Sequence, residues 1–402
     1  MRWWPLLVAI ALAAPATALA RQPTEREPDT AGTGPAPAGP PPIIELYTMG
    51  QGDLMFEKFG HAALCVTRTL GRRRTTCYNY GTTHFDAIVP LFWGFLRGQS
   101  EFWVSTSSRR HMVRDYREAD RTLWRQVLPL QPDQAHKLDA LLRENAREEN
   151  RYYRYHHFHD NCSSRVRDLI DQVSGGALSA AGPSERPLPT YRELTRTGYA
   201  GMPELLLLSD LLLGRMADER PSTYQGMFLP DMLRAEVEKR LGAAPSVVYQ
   251  RSGPPFPSDP GMGGRWLWVA LAVAFAVPAA LARRVRRPRL ALAASVFPLA
   301  FLGLVLWFLA VSSTLAELRW NEVLLVFMPF DAALPFLRPA WRRRYAVARA
   351  GQLLLVGLLL AVGVLHQPLW LLLLVPLLPM LLVALPRRAL SREAASSVAA
   401  TS

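Results

Sequence analysis

One segment of the chain combines a cysteine with capping residues in a pattern that is typical of a nucleophilic site. It reads YHHFHDNCSSRVRDLID and spans residues 155–171. Cys162 follows Asp160 and Asn161, which are preferred N-cap types, and apolar residues recur at helical spacing after it. Cys162 is therefore predicted in the first turn of a helix, where free N–H groups and the helix dipole lower a thiol pKa. This position suits a nucleophile, with the N–H of Cys162 or Ser163 as donor to an oxyanion.

Three histidines near Cys162 are one candidate source of the base that a thiol nucleophile needs. His156, His157 and His159 precede the predicted helix, in a stretch where no helical or strand period sets the direction of their side chains. Their spacing also lacks the paired cysteines or the HExxH pattern of a zinc site. Neither a metal nor another cofactor is therefore expected.

A fourth histidine, His61, lies on a predicted strand within FEKFGHAALCV and is the second candidate base. Two predicted strands flank the loop LGRRR, and a hairpin register that pairs Cys65 with Cys77 places Asn79 diagonal to His61 on one face. An imidazole oriented by a side-chain amide is a partner arrangement that cysteine nucleophiles use.

The cysteine count leaves two interpretations of the hairpin. The chain has three cysteines. In an oxidising compartment Cys65 and Cys77 form a disulfide and leave Cys162 as the odd thiol, which either pairs with another chain or is reactive. Alternatively, Cys65 and Cys77 are small buried strand residues, since cysteine is among the most buried residue types.

The two ends of the chain predict export and membrane insertion. Residues 1–20 have one basic residue, an apolar run and a small-residue cleavage pattern, which is typical of a signal peptide, and an uncleaved anchor is the alternative. Apolar stretches near the other end have the length of membrane-spanning helices. The five predicted spans are 266–282, 290–311, 321–337, 347–365 and 369–385.

Loop charge predicts the orientation of these spans. Arginines cluster after the first, third and fifth spans, whereas the loops after the second and fourth hold one arginine between them. The positive-inside rule places the arginine-rich loops in the cytoplasm, so everything before residue 266 lies in the periplasm of a bacterial inner-membrane protein. The formal net charge is +13, but residues 266–402 carry +10 of it. The basicity therefore reflects topology and not a nucleic-acid partner.

Between the termini the sequence predicts one α+β domain on residues 42–250. Residues 21–41 and 251–265 are rich in proline and glycine and are predicted linkers, and residues 387–402 form a cytoplasmic tail. Hydrophobic periodicity predicts strands at 43–48, 59–67, 76–81, 101–105 and 123–130, and helices at 90–98, 131–150 and 161–173.

A few further residues have two open interpretations. Arg165 and Arg167 either bind a lipid phosphate or belong to a solvated helix face. Trp93, in PLFWGFLRG, lies in either a bilayer-interface anchor or the core. Asp331, inside the third predicted span, and Glu322, at its periplasmic end, are hypothesised to pack the bundle or to position a lipid head group.

Four ordered motifs resemble a known family. His on a strand followed by Asn-Cys at a helix start resembles the circularly permuted NlpC/P60 branch of the papain-like fold, which includes the lecithin:retinol acyltransferase-like enzymes. More closely, YTMGQGDLMFEKFGHAALCV, YNYGTTHFD, FWGFLRGQSEFWV and HDNCSSRVRDLID, followed by apolar spans, are similar to the Lnb family of bacterial lipoprotein N-acyltransferases. That family has a periplasmic papain-like thiol domain ahead of five membrane helices.

The resemblance implies a role for each motif residue. It makes Cys162 the nucleophile, His61 its base and Asn79 the orienting residue. The implied reaction moves a fatty acyl chain from a membrane phospholipid, through a Cys162 thioester, to the N-terminal amine of a diacylglyceryl-cysteine lipoprotein in the lipid bilayer. Alternatives are a thiol hydrolase acting on phospholipid or peptidoglycan, and a non-enzymatic envelope assembly factor.

Overall fold

The computed structural model describes residues 39–69, 73–180 and 187–385. The predicted signal peptide and cytoplasmic tail lie outside the described residues, as does most of the first linker.

The described residues divide into two compact units. Unit 1 lies within Met1–Leu188 and Ser222–Pro254, and unit 2 lies within Pro189–Pro221 and Pro255–Ser402. The strands are β1 Ile43–Met49, β2 His61–Arg68, β3 Arg74–Thr82, β4 Glu101–Ser108, β5 Leu123–Val127, β6 Tyr152–Arg154 and β7 Ser246–Tyr249. The α-helices are α1 Ile88–Arg97, α2 Arg109–Glu118, α3 Pro132–Asn145, α4 Cys162–Val173, α5 Tyr191–Gly198, α6 Pro203–Leu212, α7 Thr223–Gly226, α8 Pro230–Leu241, α9 Trp266–Leu281, α10 Pro288–Ser312, α11 Ala316–Arg319, α12 Pro339–Ala361 and α13 Trp370–Ala384.

Unit 1 is an antiparallel sheet with helices on both faces. Its strand order is β6-β4-β3-β2-β1-β5-β7. Because side chains alternate along each strand, Leu64 and its same-face neighbours pack with α3, α4 and α8. Ala63 and Cys65 point to the other face and pack with Met112 of α2. The predicted α+β domain is confirmed.

Three elements of unit 1 have weak sequence signals. Helix α2 was not predicted, because apolar side chains form only a narrow stripe on it among charged ones. Strands β6 and β7 are three and four residues long, shorter than the alternation pattern needs. Helix α2 matters most, because it covers the sheet face that carries His61.

The second predicted linker is anchored where it leaves β7. The Asp120 carboxylate accepts the backbone N–H groups of Ser252 and Gly253 at 2.8 and 2.9 Å. These two hydrogen bonds and a third from the Tyr249 hydroxyl lower the pKa of Asp120 to about 2. Residues up to Pro254 accordingly belong to unit 1.

The boundary between the units differs from the predicted one. Residues 189–221, assigned to the exported domain by sequence, belong to unit 2. There Leu207 and Leu211 of α6 pack with apolar helices, and Asp210 accepts hydrogen bonds from Arg196 and Arg265. A buried carboxylate held by two arginines fixes this segment within unit 2.

Only part of the five-span prediction is supported. Two helices, Pro288–Ser312 and Pro339–Ala361, are long and apolar enough to cross a membrane by length and composition. The apolar helices Trp266–Leu281 and Trp370–Ala384 are shorter, and a 16-residue helix extends only about 24 Å against a hydrocarbon core of about 30 Å.

The third predicted span is wrong as a helix. Residues 321–337 instead contain two 3-10 segments, Glu322–Leu325 and Pro329–Phe336, because Pro329 and Pro335 interrupt α-helical hydrogen bonding. The segment packs against α10 at Gly303, where a Cβ atom would lie 2.6 Å from the Phe327 carbonyl oxygen. Glycine is therefore required for this close approach.

Side chains from α12 satisfy the interrupted backbone. Arg349 donates to the carbonyls of Leu325 and Val326 at 3.3 and 2.6 Å, and its Nε lies 3.1 Å from Asp331 Oδ1. The Tyr345 hydroxyl donates to the same carboxylate at 2.6 Å. Asp331 therefore packs the helices together, which is one of its two hypothesised roles.

Glu322 also holds a chain connection. Its carboxylate accepts the N–H groups of His366 and Gln367, both at 2.9 Å, in the loop between α12 and α13. One carboxylate thus satisfies two backbone donors of the loop, so Glu322 too contributes to packing.

We expect Asp331→Ala to destabilise unit 2 by about 3 kcal/mol or more, because it leaves the buried Arg349 guanidinium without its counter-ion. Thermal unfolding of detergent-purified protein measures the loss. The double variant Asp331→Ala/Arg349→Leu removes both charges and should recover part of it. An Asp331→Ala protein that unfolds at the wild-type temperature would contradict the packing role.

Candidate active site

Cys162 is the first residue of α4, and Asn161 caps that helix. Asn161 Oδ1 accepts the N–H groups of Ser163 and Ser164, both at 2.9 Å, and Ser164 Oγ accepts the Asn161 N–H at 2.8 Å. The Asn161 amide also donates to the Phe228 carbonyl at 3.1 Å, which joins the cap to the rest of unit 1. The predicted helix start is confirmed. The Ser163 N–H donates to the cap and also lies within hydrogen-bonding reach of the Cys162 sulfur.

The Cys162 side chain lies against the ends of β2 and β3. Its sulfur is within hydrogen-bonding reach of the backbone N–H of Ala62, the residue after His61. Gly81 adopts φ +86°, and a Cβ atom there would lie 3.3 Å from the Cβ of Cys162. A β-bulge in β3 between Asn79 and Thr82 creates this room. The backbone N–H groups of Ala62, Ser163 and Cys162 all lie within hydrogen-bonding reach of the sulfur.

Burial raises the pKa of the Cys162 thiol above its ordinary value, although the N–H of Ala62 and the charge of Arg121 lower it. The sequence predicted a lowered pKa from the helix N-terminus. Backbone N–H groups of the first turn do favour the thiolate, as expected, but the cost of burying the anion is larger. The side chain is only partly exposed, and a thiol whose pKa is raised above its ordinary value is neutral at pH 7.

His61 begins β2 and is oriented by its neighbours. Gly60 before it adopts φ +78°, and a Cβ there would lie 2.5 Å from the Met49 carbonyl oxygen. The ring stacks on Tyr116 of α2 with centroids 6.2 Å apart, and it hydrogen bonds to the Asn79 side chain. Asn79 Nδ2 in turn donates to Ser107 Oγ at 3.4 Å. One ring nitrogen is thus fixed by an amide, as the hairpin register predicted.

Burial lowers the pKa of His61 to about 4, and the charge of Arg121 contributes in the same direction, while the hydrogen bond to Asn79 opposes both. The imidazole is therefore neutral over the physiological range. The thiol and the imidazole are thus both neutral, a state that suits general-base activation during attack and not a preformed thiolate–imidazolium pair.

Two residues of this site were missed by the sequence reasoning, Tyr116 and Arg121. The Arg121 guanidinium lies over the Tyr116 ring, 4.9 Å from its centroid, and its charge affects the pKa of both His61 and Cys162. Burial raises the pKa of Tyr116 to about 12. Recognising α2 from its narrow apolar stripe would have indicated Tyr116, but nothing in the sequence signals Arg121.

The hairpin has the register on which the sequence argument depended. Cys65 pairs with Cys77 and Ala63 pairs with Asn79, which places Asn79 diagonal to His61. A disulfide joins Cys65 to Cys77, and Cys162 is a free cysteine. Since the chain has three cysteines, Cys162 carries its one free thiol.

The other candidate histidines form a compact turn before α4. A backbone bridge pairs His156 with Asp160, and the His156 ring stacks on that of His157 at 4.9 Å. His157 packs against Phe95 at 5.4 Å, and burial holds its pKa well below the ordinary value. The turn brings Asp160 and Asn161 into position to begin α4.

The three predicted lipid contacts are engaged within unit 1. Arg165 donates to Asp160 at 2.5 and 2.8 Å and lies over the Tyr153 ring. Arg167 is buried and donates to Asp168 and to the Tyr224 carbonyl. The expectation of a solvated face is therefore wrong for Arg167, because nearby acceptors satisfy its guanidinium. Trp93 is half-buried on α1 with Arg97 over its ring at 5.9 Å.

Comparison with known proteins identifies the region that contains this site. Residues 43–197 match the family model of the Lnb N-terminal periplasmic domain. No curated protein and no solved structure matches the chain. The matched residues contain Cys162, His61, Asn79, Tyr116 and Arg121. The domain family and the two long apolar helices are compatible with a membrane-associated envelope protein that has a periplasmic domain.

Proposed function

We propose that this chain, a member of the Lnb family through its matched periplasmic domain, is a Cys/His-dependent lipoprotein N-acyltransferase of the bacterial inner membrane. The observation that carries the proposal is the free thiol of Cys162 at a capped helix start, next to the end of β3. Asn79, on the same strand, hydrogen bonds to His61 and orients its ring. A thiol suits the task because a thioester is reactive enough to acylate an amine.

The first half-reaction loads the acyl chain. His61 takes the thiol proton as Cys162 Sγ attacks the ester carbonyl carbon of a phospholipid, and the N–H groups of Ala62 and Cys162 stabilise the oxyanion. The ester C–O bond breaks, and the leaving glycerol oxygen receives the proton from His61. A Cys162 thioester and a lysophospholipid result.

The second half-reaction transfers the acyl chain from Cys162 to the lipoprotein. The free amine of a lipoprotein's diacylglyceryl-cysteine attacks the thioester carbon, the C–S bond breaks, and the sulfur recovers a proton through His61. The products are an amide-linked acyl chain and the regenerated thiol. Both substrates lie in the bilayer, which gives the apolar helices of unit 2 a use.

The membrane topology is also part of the proposal. With the periplasmic domain outside, the arginine-rich loops after α9 and before α12 lie in the cytoplasm. The segment 321–337 then returns the chain across the membrane without an α-helix. Non-helical backbone at membrane depth is tolerated where protein buries it, and Arg349 and Gln352 supply donors to the Leu325 carbonyl there.

The test is mass spectrometry of lipoprotein N-termini from a strain that lacks its own N-acyltransferase. We expect cells that express the chain to carry an amide-linked acyl group on the N-terminal cysteine, and cells with an empty vector to keep free amines. Free amines in cells that express and insert the chain would refute acyl transfer to those lipoproteins. Release of fatty acid from phospholipid in the same cells would then favour a hydrolase.

A further inference from the structure

Arg121 is a buried cation with an unused hydrogen-bond donor. Its side chain is 5% exposed. Nε donates to the Gly50 carbonyl at 3.0 Å and Nη1 donates to Glu57 Oε1 at 3.4 Å, whereas Nη2 has no hydrogen-bond partner among the described residues. Leaving a buried charged donor unsatisfied is costly, so such a group in a native protein calls for an explanation.

The surroundings of Arg121 place it in the site of the thiol. Its guanidinium lies over Tyr116, and the same ring stacks on His61. Its positive charge acts on both His61 and Cys162. Glu57, its acidic partner, is partly exposed at the surface of unit 1. The Arg121 guanidinium is therefore linked to the site through the Tyr116 ring, which also stacks on His61.

Most other donors near Cys162 already have roles, although the buried hydroxyl of Tyr153 also has no hydrogen-bond acceptor among the described residues. The N–H groups of Ala62 and Cys162 are next to the sulfur, and the proposed function uses them to stabilise an oxyanion. The guanidinium groups of Arg165 and Arg167 donate to acceptors within unit 1. Of the two unused donors, the Tyr153 hydroxyl and Arg121 Nη2, only Arg121 Nη2 carries a positive charge, and a guanidinium is the group that proteins favour for phosphate recognition.

We propose that Arg121 Nη2 binds the phosphodiester of the acyl donor while the donor's ester lies at Cys162, so that the site selects phospholipids over neutral acylglycerols. The assignment rests on the proposed function, and it deepens that function by naming the feature by which the donor is recognised. No covalent step involves Arg121, which acts by charge and hydrogen bonding alone.

Alkylation of Cys162 tests the anion site without any lipid. The same thiolate attacks iodoacetate and iodoacetamide and displaces iodide from each, and the two reagents differ mainly in charge, so the ratio of their rates cancels any change in the thiol pKa. Because Cys65 and Cys77 form a disulfide, both reagents report on Cys162 alone in the full-length, detergent-purified protein. We expect the iodoacetate/iodoacetamide ratio to exceed that of a free cysteine peptide by about tenfold, as a charge-assisted hydrogen bond would give.

Variants identify the source of the preference. Arg121→Gln should reduce the ratio to that of the peptide, and Arg121→Lys should keep part of it. Arg114→Gln is the matched control, because it removes an exposed arginine from neighbouring α2 and should leave the ratio unchanged. Equal ratios in wild type and Arg121→Gln would overturn the proposal. If Arg121→Gln fails to fold, a wild-type ratio equal to that of the peptide overturns it as well.

A second arm assigns the anion to the lipid. Acyl-thioester formation on Cys162 is compared for phosphatidylglycerol and for diacylglycerol with the same chains. Wild type should prefer the phospholipid, and Arg121→Gln should lose that preference. If Arg121→Gln alters the alkylation ratio but keeps the wild-type preference for phosphatidylglycerol over diacylglycerol, the phosphodiester assignment is overturned. No thioester from any donor refutes the proposed function instead, while the alkylation ratio still measures the anion site.

Discussion

Replacing Cys162 with alanine is expected to reduce N-acylation of lipoproteins at least about 1,000-fold, because removal of a nucleophile leaves only the residual effects of binding. Cys162→Ser should be nearly as inactive, since a hydroxyl is a far weaker nucleophile than a thiol when the same base serves both. The readout is the acyl mass on lipoprotein N-termini. Intact wild-type protein should also carry an acyl group on the Cys162 peptide that hydroxylamine removes.

The control for this experiment is the pair of disulfide cysteines. Cys65→Ala/Cys77→Ala removes two sulfur atoms from the hairpin and leaves the lone thiol, so inserted protein should retain N-acylation. Wild-type acylation by inserted Cys162→Ala would rule out the covalent mechanism and favour an assembly factor. Loss of acylation in both variants would mean that the reaction also depends on the disulfide-bonded hairpin, and the hydroxylamine-sensitive acyl group on Cys162 would then be the test of the thiol.

The parts of this site that could be predicted from sequence are those set by local geometry. Asn161 fixes the start of α4 through hydrogen bonds to residues two and three positions ahead, and such caps have recognisable sequences. Pairing Cys65 with Cys77 determined the register of β2 against β3, because a strand has a period of two. Asn79 followed from that register without further information.

The parts that could not be predicted depend on burial and distant contacts. The sign of the thiol pKa shift depends on how much protein surrounds Cys162, and helix position alone predicted the opposite direction. Arg121 reaches the site because α2 packs across the sheet, and that helix has too few apolar residues to be recognised. Hydropathy likewise identified 321–337 as apolar but did not show that prolines break its helix.

His61→Gln is expected to reduce acyl transfer about 100- to 10,000-fold, the range that general-base catalysis contributes. Glutamine keeps a side-chain N–H for Asn79 and similar bulk beside Tyr116, but it cannot accept the thiol proton. His111→Gln is the matched control, because the same substitution on the exposed surface of α2 removes no contact of the site. Wild-type activity in His61→Gln would show that His61 is not the base and would assign that role to His156, His157 or His159.

The pH profile gives the same prediction a second readout. Burial lowers the pKa of His61 to about 4, so the base stays neutral and competent well below the ordinary histidine value of 6.5. The rate of Cys162 thioester formation should therefore change little from pH 7 to about pH 5 and fall as the pH drops through about 4. Arg121→Gln removes a charge that lowers this pKa, so its acid limb should move to higher pH. A wild-type acid limb near 6.5 would show that His61 is solvated and would contradict a buried imidazole that stays neutral at pH 5.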